Sequence, residues 1–479
     1  MVDYIVIVAY FAGMLAVGWW SMRRAGNAED YLVAGRRLGP TLYFGTLSAV
    51  VLGGASTIGG IGLGYSYGLS GMWLVVILGL GIVALSALFA RRLTRLGVYT
   101  VSEMLELRYN VSARFISGLV MAAYDLMLTV TSTIAIGTIF HGILGIPRVP
   151  AIILGGGIVL VYCLLGGMWS VTLTDLAQFA IMTLGVFLVL LPTSLARAGG
   201  FGGLREALPA SYFDLGSIGG ATIFTYVLIY FFGILIGQDI WQRVFTARSD
   251  RVAVRGGVIS GLYCMAYGIA GALIGSSAKV LYPNLQVADD AFATITRGVL
   301  PTGIMGLVLA AALAAIMSTA SAGLMASATL TANDIYARFV AHRASVSTVA
   351  SIRVFVLVIG VVAIAIACVV QDIVAALTVA YNLLVGGLLV PILGGLVWRR
   401  STASGALAAA VVGSVTVVVL MIVQGLLANE PIYFGLIASA VAFVVGSLVT
   451  RPTPAEALAA WDRRLRGESQ PAPPASPTP

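Results

Sequence analysis

GGASTIGGIGLGYSYG, residues 53–68, decides how this chain folds. Seven of its sixteen residues are glycine, and it lies in a run, 41–90, that has no charged side chain. Because each glycine in a helix interior destabilises the helix by about 1 kcal/mol relative to alanine, we expect a helix broken at this point. A bilayer tolerates a broken helix only where its backbone faces protein or a water-filled cavity. The stretch is therefore a candidate binding site at the depth of a membrane.

Composition excludes a soluble domain. Hydrophobic residues make up 59% of the 479 residues and charged residues 10%, and the mean hydropathy is +1.02. Since a spanning helix needs about 20 apolar residues, we predict an all-α membrane protein with 13 transmembrane helices. The predicted spans are residues 3–20, 41–68, 72–90, 115–140, 150–166, 172–192, 218–240, 256–282, 298–330, 351–369, 374–397, 404–427 and 431–450.

The basic residues predict the orientation of these spans. With the N-terminus outside, 22 of the 27 Lys and Arg residues fall in cytoplasmic segments, as the positive-inside rule requires. We therefore expect an N-out, C-in, multi-pass protein of the cell (inner) membrane. The same bias explains the net charge of +8, so we expect membrane lipid and not nucleic acid as a partner.

Cysteine and histidine residues suggest neither a disulfide nor a metal cluster. Cys163, Cys264 and Cys368 all lie inside predicted spans, and His141 and His342 fall at opposite membrane faces. We expect free thiols and no enzymatic activity. The oligomeric state stays open.

Two sets of five spans have opposite topology, because spans 2–6 begin inside and spans 7–11 begin outside. Such inverted repeats place their binding site at a glycine-interrupted helix in each half, and span 7 carries Gly233 and Gly237. Alternatively, these glycines allow close helix packing. The predicted organisation is an accessory span with its loop, repeat 1, an external loop, repeat 2, two accessory spans and a partly disordered cytoplasmic tail. These parts are residues 1–40, 41–192, 193–217, 218–397, 398–450 and 451–479.

Three carboxylates fall within or beside spans, where a charge is costly. Asp125 shares a helix face with Thr129 and Ser132; it is either a contact for an amine, proton or cation, or a buried carboxyl bonded to a neighbour. Asp175 begins span 6 and suits a helix N-terminus. Asp239 ends span 7 four residues before Arg243, which predicts an ion pair at the membrane interface.

Span 9 carries a face of small and hydroxyl side chains at helical spacing: Ala315, Ser318, Thr319 and Ala322. Hydroxyls beside the free carbonyls of a broken helix are ligands that suit an alkali cation. The alternative is a packing seam in which Ser and Thr bond to their own helix. Spacing alone leaves both interpretations open.

Several motifs together resemble the sodium:solute symporter family. They are 64–68 (GYSYG), 99–105 (YTVSEML), 108–109 (RY), 162–170 (YCLLGGMWS), 174–178 (TDLAQ), 242–243 (QR), 314–319 (AAIMST), 334–336 (DIY), 395–400 (GLVWRR) and 405–406 (GA). The resemblance implies a LeuT-type fold, a 5+5 inverted repeat with flanking helices.

The resemblance also implies a Na⁺ site. Its ligands would be the backbone carbonyls of Ala49, Leu52 and Ala315 and the hydroxyls of Ser318 and Thr319. Some members have a second Na⁺ site, which Asp175, Ser318 and Ser321 match here, whereas Ala322 stands where a further serine would be. Whether the protein binds one Na⁺ ion or two therefore stays open.

Substrate contacts transfer less well from the family. Where sugar-carrying members have Gln, Asn and Gln, this chain has Ser56, Tyr230 and Thr378, which argues against a sugar. The acidic residue that proline-carrying members have in span 2 is also missing. The candidate solute contacts are Ser56, Thr57, Asp125, Thr129, Tyr230, Thr378, Tyr381 and Asn382. They suit a small solute, and Asp125 favours one with an amine or amide.

The expected function is Na⁺-coupled secondary active symport, importing a small polar organic solute by alternating access. One alternative is proton coupling through Asp125 or Asp175. An alternative of another class is a transporter-like sensor or channel without coupling.

Overall fold

The computed structural model describes residues 2–24, 26–288, 290–342, 349–370, 373–426 and 428–466. Within these ranges the chain forms the α-helices α1 Val2–Ser21, α2 Ala28–Val33, α3 Pro40–Val51, α4 Gly60–Tyr67, α5 Trp73–Ala84, α6 Ala90–Leu96, α7 Val101–Arg108, α8 Val111–Leu144, α9 Arg148–Met182, α10 Leu191–Arg197, α11 Gly200–Ala207, α12 Gly220–Tyr226, α13 Phe232–Ile236, α14 Gln238–Thr246, α15 Asp250–Leu281, α16 Asp290–Val299, α17 Ile304–Leu330, α18 Val349–Val369, α19 Ile373–Val397, α20 Ala403–Gln424, α21 Glu430–Val449 and α22 Ala455–Arg466.

Wider and tighter helical turns join several of these helices. The π-helical segments of the described residues are Ala55–Gly59, Leu85–Phe89, Thr183–Leu190, Val227–Phe231 and Thr331–Val340. The 3₁₀ segments are Met22–Arg24, Ala34–Arg36, Gly68–Met72 and Ala210–Phe213. Two of the π-helical segments, Ala55–Gly59 and Val227–Phe231, lie in the helices that break. π-Helical turns often mark functional sites.

Ten stretches of the described residues are long and apolar enough to cross a membrane, or eleven if a bent pair counts as one span. Two of them each cover more than one predicted span: Arg148–Arg197 contains 150–166 and 172–192, and Ala55–Leu96 contains 72–90 and part of 41–68. Both contain a glycine with positive φ, Gly68 (φ 62°) and Gly167 (φ 56°). The all-helical membrane fold is as predicted, whereas the count of 13 and the N-out, C-in orientation remain predictions.

Both glycine-interrupted helices are broken, as the sequence predicts. α3 ends at Val51, and Leu52 (φ −91°, ψ 54°) leaves the helical conformation. In the second broken helix, Gly237 (φ −63°, ψ 132°) separates α13 from α14, and the two parts are bent by 40°. The backbone groups freed at these breaks need partners inside the protein.

The centre of the molecule is α17, which begins the stretch Ile304–Val340; 83% of the most apolar part of this stretch is buried. It packs against α8, α9, α1 and α3. α20 and α21 pack against each other at the edge, where only 33% and 28% of their most apolar parts are buried. The predicted division into repeats and accessory spans remains a prediction, and the proline-rich end of the predicted tail, 471–479, lies outside the described residues.

Candidate functional site

Backbone carbonyls at the broken end of α3 face hydroxyls of α17. The last carbonyls of a helix have no partner within it. Here Ser318 Oγ donates to the carbonyl oxygens of Ala49 and Ala315, both at 2.8 Å. Thr319 Oγ1 donates to the Val50 carbonyl at 2.8 Å and to that of Ala315 at 3.5 Å. The structure therefore joins four of the five predicted Na⁺ ligands in one hydrogen-bonded group.

The fifth predicted ligand, the Leu52 carbonyl, has a different partner. It accepts a hydrogen bond from Thr57 Oγ1 at 3.4 Å, and this hydroxyl is also 3.0 Å from Tyr267 Oη. The Val51 carbonyl accepts from Ser56 Oγ at 2.8 Å. Each carbonyl from residue 49 to residue 52 thus meets a hydroxyl. Sequence reasoning missed those of residues 50 and 51, because the twist of the break decides which carbonyl faces which hydroxyl.

This oxygen group fits a Na⁺ ion chemically. Its members are neutral hydroxyl and carbonyl oxygens, hard ligands that replace the water shell of a cation. The five predicted ligand residues are buried, and Thr319 is the most exposed at 8%. Gly53 makes the approach possible, since a Cβ there would lie 2.4 Å from Thr319 Oγ1.

The residues of the possible second Na⁺ site have protein partners. Asp175 is fully buried, and its Oδ2 accepts hydrogen bonds from Thr46 Oγ1 and from Arg243 Nη2, the latter at 3.0 Å. Asp175 Oδ1 has no partner among the described residues. Ser321 Oγ donates to the Ser318 carbonyl at 3.0 Å. A guanidinium thus already neutralises this carboxylate, and a second Na⁺ remains a prediction.

A narrow cavity of about 40 Å³ adjoins the broken end of α3. Of the predicted solute contacts, Ser56, Tyr230 and Tyr381 line it, together with Thr319. The rings of Tyr230 and Tyr381 pack edge to face with centroids 5.3 Å apart. Its described lining also includes polar side chains that the sequence did not assign to the site: Thr131, Ser132 and Asp239.

A wider chamber of about 270 Å³ continues from this cavity. Tyr230 lines both, and Thr378, another predicted solute contact, lines the chamber. Gly54 and Ala55 of the glycine-rich stretch form part of both walls. Since drug-sized ligands occupy about 300–1,000 Å³, this volume suits a smaller solute.

Four predicted solute contacts lie outside the linings of both spaces. Thr57 bonds to Tyr267 as described, and Thr129 Oγ1 donates to the Asp125 carbonyl at 2.9 Å. Asp125 and Asn382 are fully buried, and their side-chain polar atoms have no hydrogen-bond partner within the described residues. Of the predicted polar stripe of α8, Ser132 lines the narrow cavity, as does its neighbour Thr131, which the stripe did not include.

The predicted interfacial ion pair between Asp239 and Arg243 is wrong. Both residues are buried, at 3% and 0% exposure. Arg243 Nη1 donates to the backbone carbonyl of Asp239 at 3.1 Å, and its Nη2 pairs with Asp175. The Asp239 carboxylate, accepting a long bond of 3.4 Å from Tyr124 Oη, remains on the cavity wall. The break at Gly237 turns this segment inward, which i, i+4 spacing does not reveal.

The sequence of this chain is similar to those of known proteins. The profile of the sodium:solute symporter family matches residues 31–413. An osmoregulated proline transporter of Bacillus subtilis (strain 168) is 28% identical over 465 residues, covering 92% of this chain and 94% of that protein. A sodium/proline symporter of Staphylococcus aureus (strain JH9) is 27% identical over 469 residues, covering 93% and 91%.

Solved structures share the fold. A Na⁺-coupled sialic acid symporter in a substrate-bound outward-open state superposes with a TM-score of 0.81 at 20% identity, covering 95% of this chain and 99% of that one. A nucleobase-cation-symport-1 family transporter gives a TM-score of 0.60 at 16% identity, covering 91% and 98%. These likenesses agree with the LeuT-type fold that the motifs implied. From the family profile over most of its length, the chain belongs to the sodium:solute symporter family.

Proposed function

We propose that this protein imports a small polar solute together with Na⁺ by alternating access, and that the solute carries a positively charged nitrogen. Family membership supports symport with Na⁺ as the coupling ion. Two relatives are named for proline, a solute of the size that the chamber accepts. One helix bundle would rock against the other around the broken helices.

One observation supports Na⁺ coupling above the others: the Ser318 and Thr319 hydroxyls bond to carbonyls at the end of α3. A Na⁺ ion between them would replace these hydrogen bonds with ion–dipole contacts and hold α3 against α17. Because Thr319 also lines the cavity, ion and solute would meet at one side chain.

Uptake by reconstituted vesicles tests this coupling. We expect uptake to require a Na⁺ gradient, and Ser318→Ala with Thr319→Ala to raise the Na⁺ concentration for half-maximal uptake. The matched control is Ser327→Ala with Thr331→Ala, since these hydroxyls bond to Ala122 and Ser327 carbonyls away from the break. Uptake that persists without a Na⁺ gradient would contradict the coupling.

The charge of the solute is inferred from Asp239. It is the one charged side chain among the described residues that line the narrow cavity. The Arg243 guanidinium lies near this carboxylate but donates to Asp175 and to the Asp239 backbone carbonyl, and it forms no ion pair with Asp239. The groups that donate to the Asp239 carboxylate within the described residues are neutral: the Ile240 backbone N–H and Tyr124 Oη. A buried carboxylate of this kind is stabilised by a cationic ligand. An amine is therefore the group that the cavity receives best.

A ligand panel tests the solute class through Na⁺-dependent thermal stabilisation of the purified protein. Amino acids, carboxylates, pantothenate, nucleobases, urea and polyamines cover the alternatives. We expect amine-bearing solutes to stabilise, and Asp239→Asn to weaken them by about 2–5 kcal/mol, roughly thirtyfold or more. Asp214→Asn, in an exposed loop, is the control. A best ligand without an amine, or one unaffected by Asp239→Asn, would refute this class.

Proton coupling is a second candidate because Asp125 offers an unused carboxyl. Its carboxyl is fully buried, has no side-chain hydrogen-bond partner among the described residues, and lies near the Asp239 backbone N–H, the Asp239 carboxylate and the Arg243 guanidinium. An ionisable side chain at this depth of a membrane protein is a candidate proton carrier. Uptake measured across a pH series at zero Na⁺, in wild type and Asp125→Asn, separates the mechanisms: proton-driven uptake that Asp125→Asn abolishes would favour this candidate.

A further inference from the structure

A second groove, of about 1030 Å³, lies where α3 and α15 begin. Arg248, Arg251 and Arg255 line it together with apolar side chains that include Phe44 and Ile259. α15 is one of the apolar stretches able to cross a membrane, and it starts at residue 250. The groove therefore lies at a membrane surface, on the side that the distribution of basic residues predicts to be cytoplasmic.

The three arginines carry uncompensated positive charge. All are exposed, and none has an ion-pair partner in the described part of the chain. Asp250, the acid in the groove wall, is already bound by Arg95 at 2.6 Å. Arg251 and Arg255 are four residues apart on one helix, a spacing at which like charges repel. An anion in the groove would relieve this repulsion.

The apolar part of the groove continues along α15. Ile259 is 55% exposed and Leu262 is 54% exposed, which is unfavourable in water but suits contact with acyl chains. The groove thus presents cationic side chains at the membrane surface and apolar side chains towards its interior. An anionic headgroup attached to acyl chains matches both parts.

The groove also adjoins a link between the two broken helices. Leu38 N donates to the Thr246 carbonyl at 3.0 Å, and Arg248 N donates to the Leu38 carbonyl at 3.1 Å. These bonds join the segment before α3 to the end of α14. A ligand held by Arg248 would therefore lie beside this link.

We propose that this groove binds an anionic phospholipid, with Arg248, Arg251 and Arg255 around its phosphate and the acyl chains along Ile259 and Leu262. Each arginine near a membrane surface strengthens such binding about fivefold. Removing all three charges would therefore weaken it about a hundredfold. The proposal requires neither Na⁺ nor a transported solute.

Native mass spectrometry of protein purified with mixed phosphatidylglycerol and phosphatidylcholine tests the proposal. We expect wild type to retain phosphatidylglycerol and the triple variant Arg248→Gln, Arg251→Gln, Arg255→Gln to lose it. A control removing three other charges on the same predicted side, Arg23→Gln, Arg451→Gln and Arg464→Gln, should retain it. Equal retention by the triple variant and wild type would overturn the proposal.

Competition with inorganic phosphate separates a lipid from a soluble anion. We expect phosphate not to displace phosphatidylglycerol, because it has no acyl chains; displacement at millimolar phosphate would overturn the assignment to lipid. If the triple variant melts at a lower temperature than wild type, the three single variants are measured instead. Each single variant is expected to retain less phosphatidylglycerol than wild type. These readouts do not involve transport, so they stand or fall separately from the proposed function.

Discussion

Alanine at Gly53 should damage the junction between α3 and α17 more than alanine at any neighbouring open position. A Cβ built there lies 2.4 Å from Thr319 Oγ1, 2.9 Å from its Cβ and 3.2 Å from its Cγ2. Contacts under 3.0 Å force a displacement, and both sides are buried. Overpacking of this kind lowers the free energy of unfolding by about 1–3 kcal/mol. We expect the melting temperature of purified Gly53→Ala to fall accordingly.

The same displacement should weaken Na⁺ binding, because Thr319 is a proposed ligand. If the whole destabilisation falls on the Na⁺-bound state, the Na⁺ concentration for half-maximal thermal stabilisation rises roughly five- to hundredfold. Titrating Na⁺ against the melting temperature of Gly53→Ala measures this directly and needs no knowledge of the solute. Adding Thr319→Ala removes the closest atom, so the double variant should lose less stability than the two single losses combined.

Gly59→Ala is the matched control within the same glycine-rich stretch. A Cβ there meets nothing within 4 Å, and its backbone is helical (φ −64°, ψ −40°). Alanine should therefore be neutral or add up to about 1 kcal/mol of stability, with an unchanged Na⁺ response. If Gly53→Ala behaves like Gly59→Ala, the close approach at Thr319 does not exist as described.

Two further substitutions test the buried framework around the site. Asp175→Asn, measured without Na⁺, should lower the free energy of unfolding by about 3–5 kcal/mol because it leaves Arg243 buried and unpaired. This loss should shrink when Arg243→Gln is added. If the losses of the two single variants simply add in the double variant, the pair is not coupled. Gly167→Ala should lower the melting temperature, since its φ is 56° and a Cβ would lie 2.6 Å from the Tyr31 carbonyl. At Gly157 a Cβ would meet nothing within 4 Å, so Gly157→Ala should leave the melting temperature near that of wild type. If both variants lower the melting temperature equally, the backbone at Gly167 is not strained by alanine.

The broken helices were visible in the sequence because glycine density is a local property. Residues 53–68 are so rich in glycine that a continuous helix is improbable there, and the break after Val51 lies just upstream. The glycines of span 7 are fewer and predicted a break less strongly, yet the helix is also broken there, at Gly237. The ion pair between Asp175 and Arg243 has no such local signature, because it joins residues that are 68 positions apart.

Within the site, helical spacing grouped Ser318 and Thr319 on one face, and the family resemblance assigned them to the carbonyls of α3, but neither predicted which residues line the cavity. Ser318 and Thr319 lie where the 3.6-residue period places them, on the side of α17 that meets the break. Asp125 looked like a cavity residue because it lies in the same stripe, yet Ser132 reaches the cavity instead. Which part of a stripe reaches a cavity depends on how far the helices are shifted along each other, and spacing within one helix does not contain that information.

The break after α3 explains physically how ion and solute binding would be coupled. Thr319 and Ser56 both line the cavity, and both donate to carbonyls of the break, those of Val50 and Val51. Na⁺ bound at Ala49 and Ser318 would fix the same few peptide groups that position these two hydroxyls. Linkage then demands reciprocity: whatever factor Na⁺ contributes to solute affinity, the solute contributes to Na⁺ affinity. Because the two sites share one backbone segment, the coupling requires no signal through the rest of the bundle.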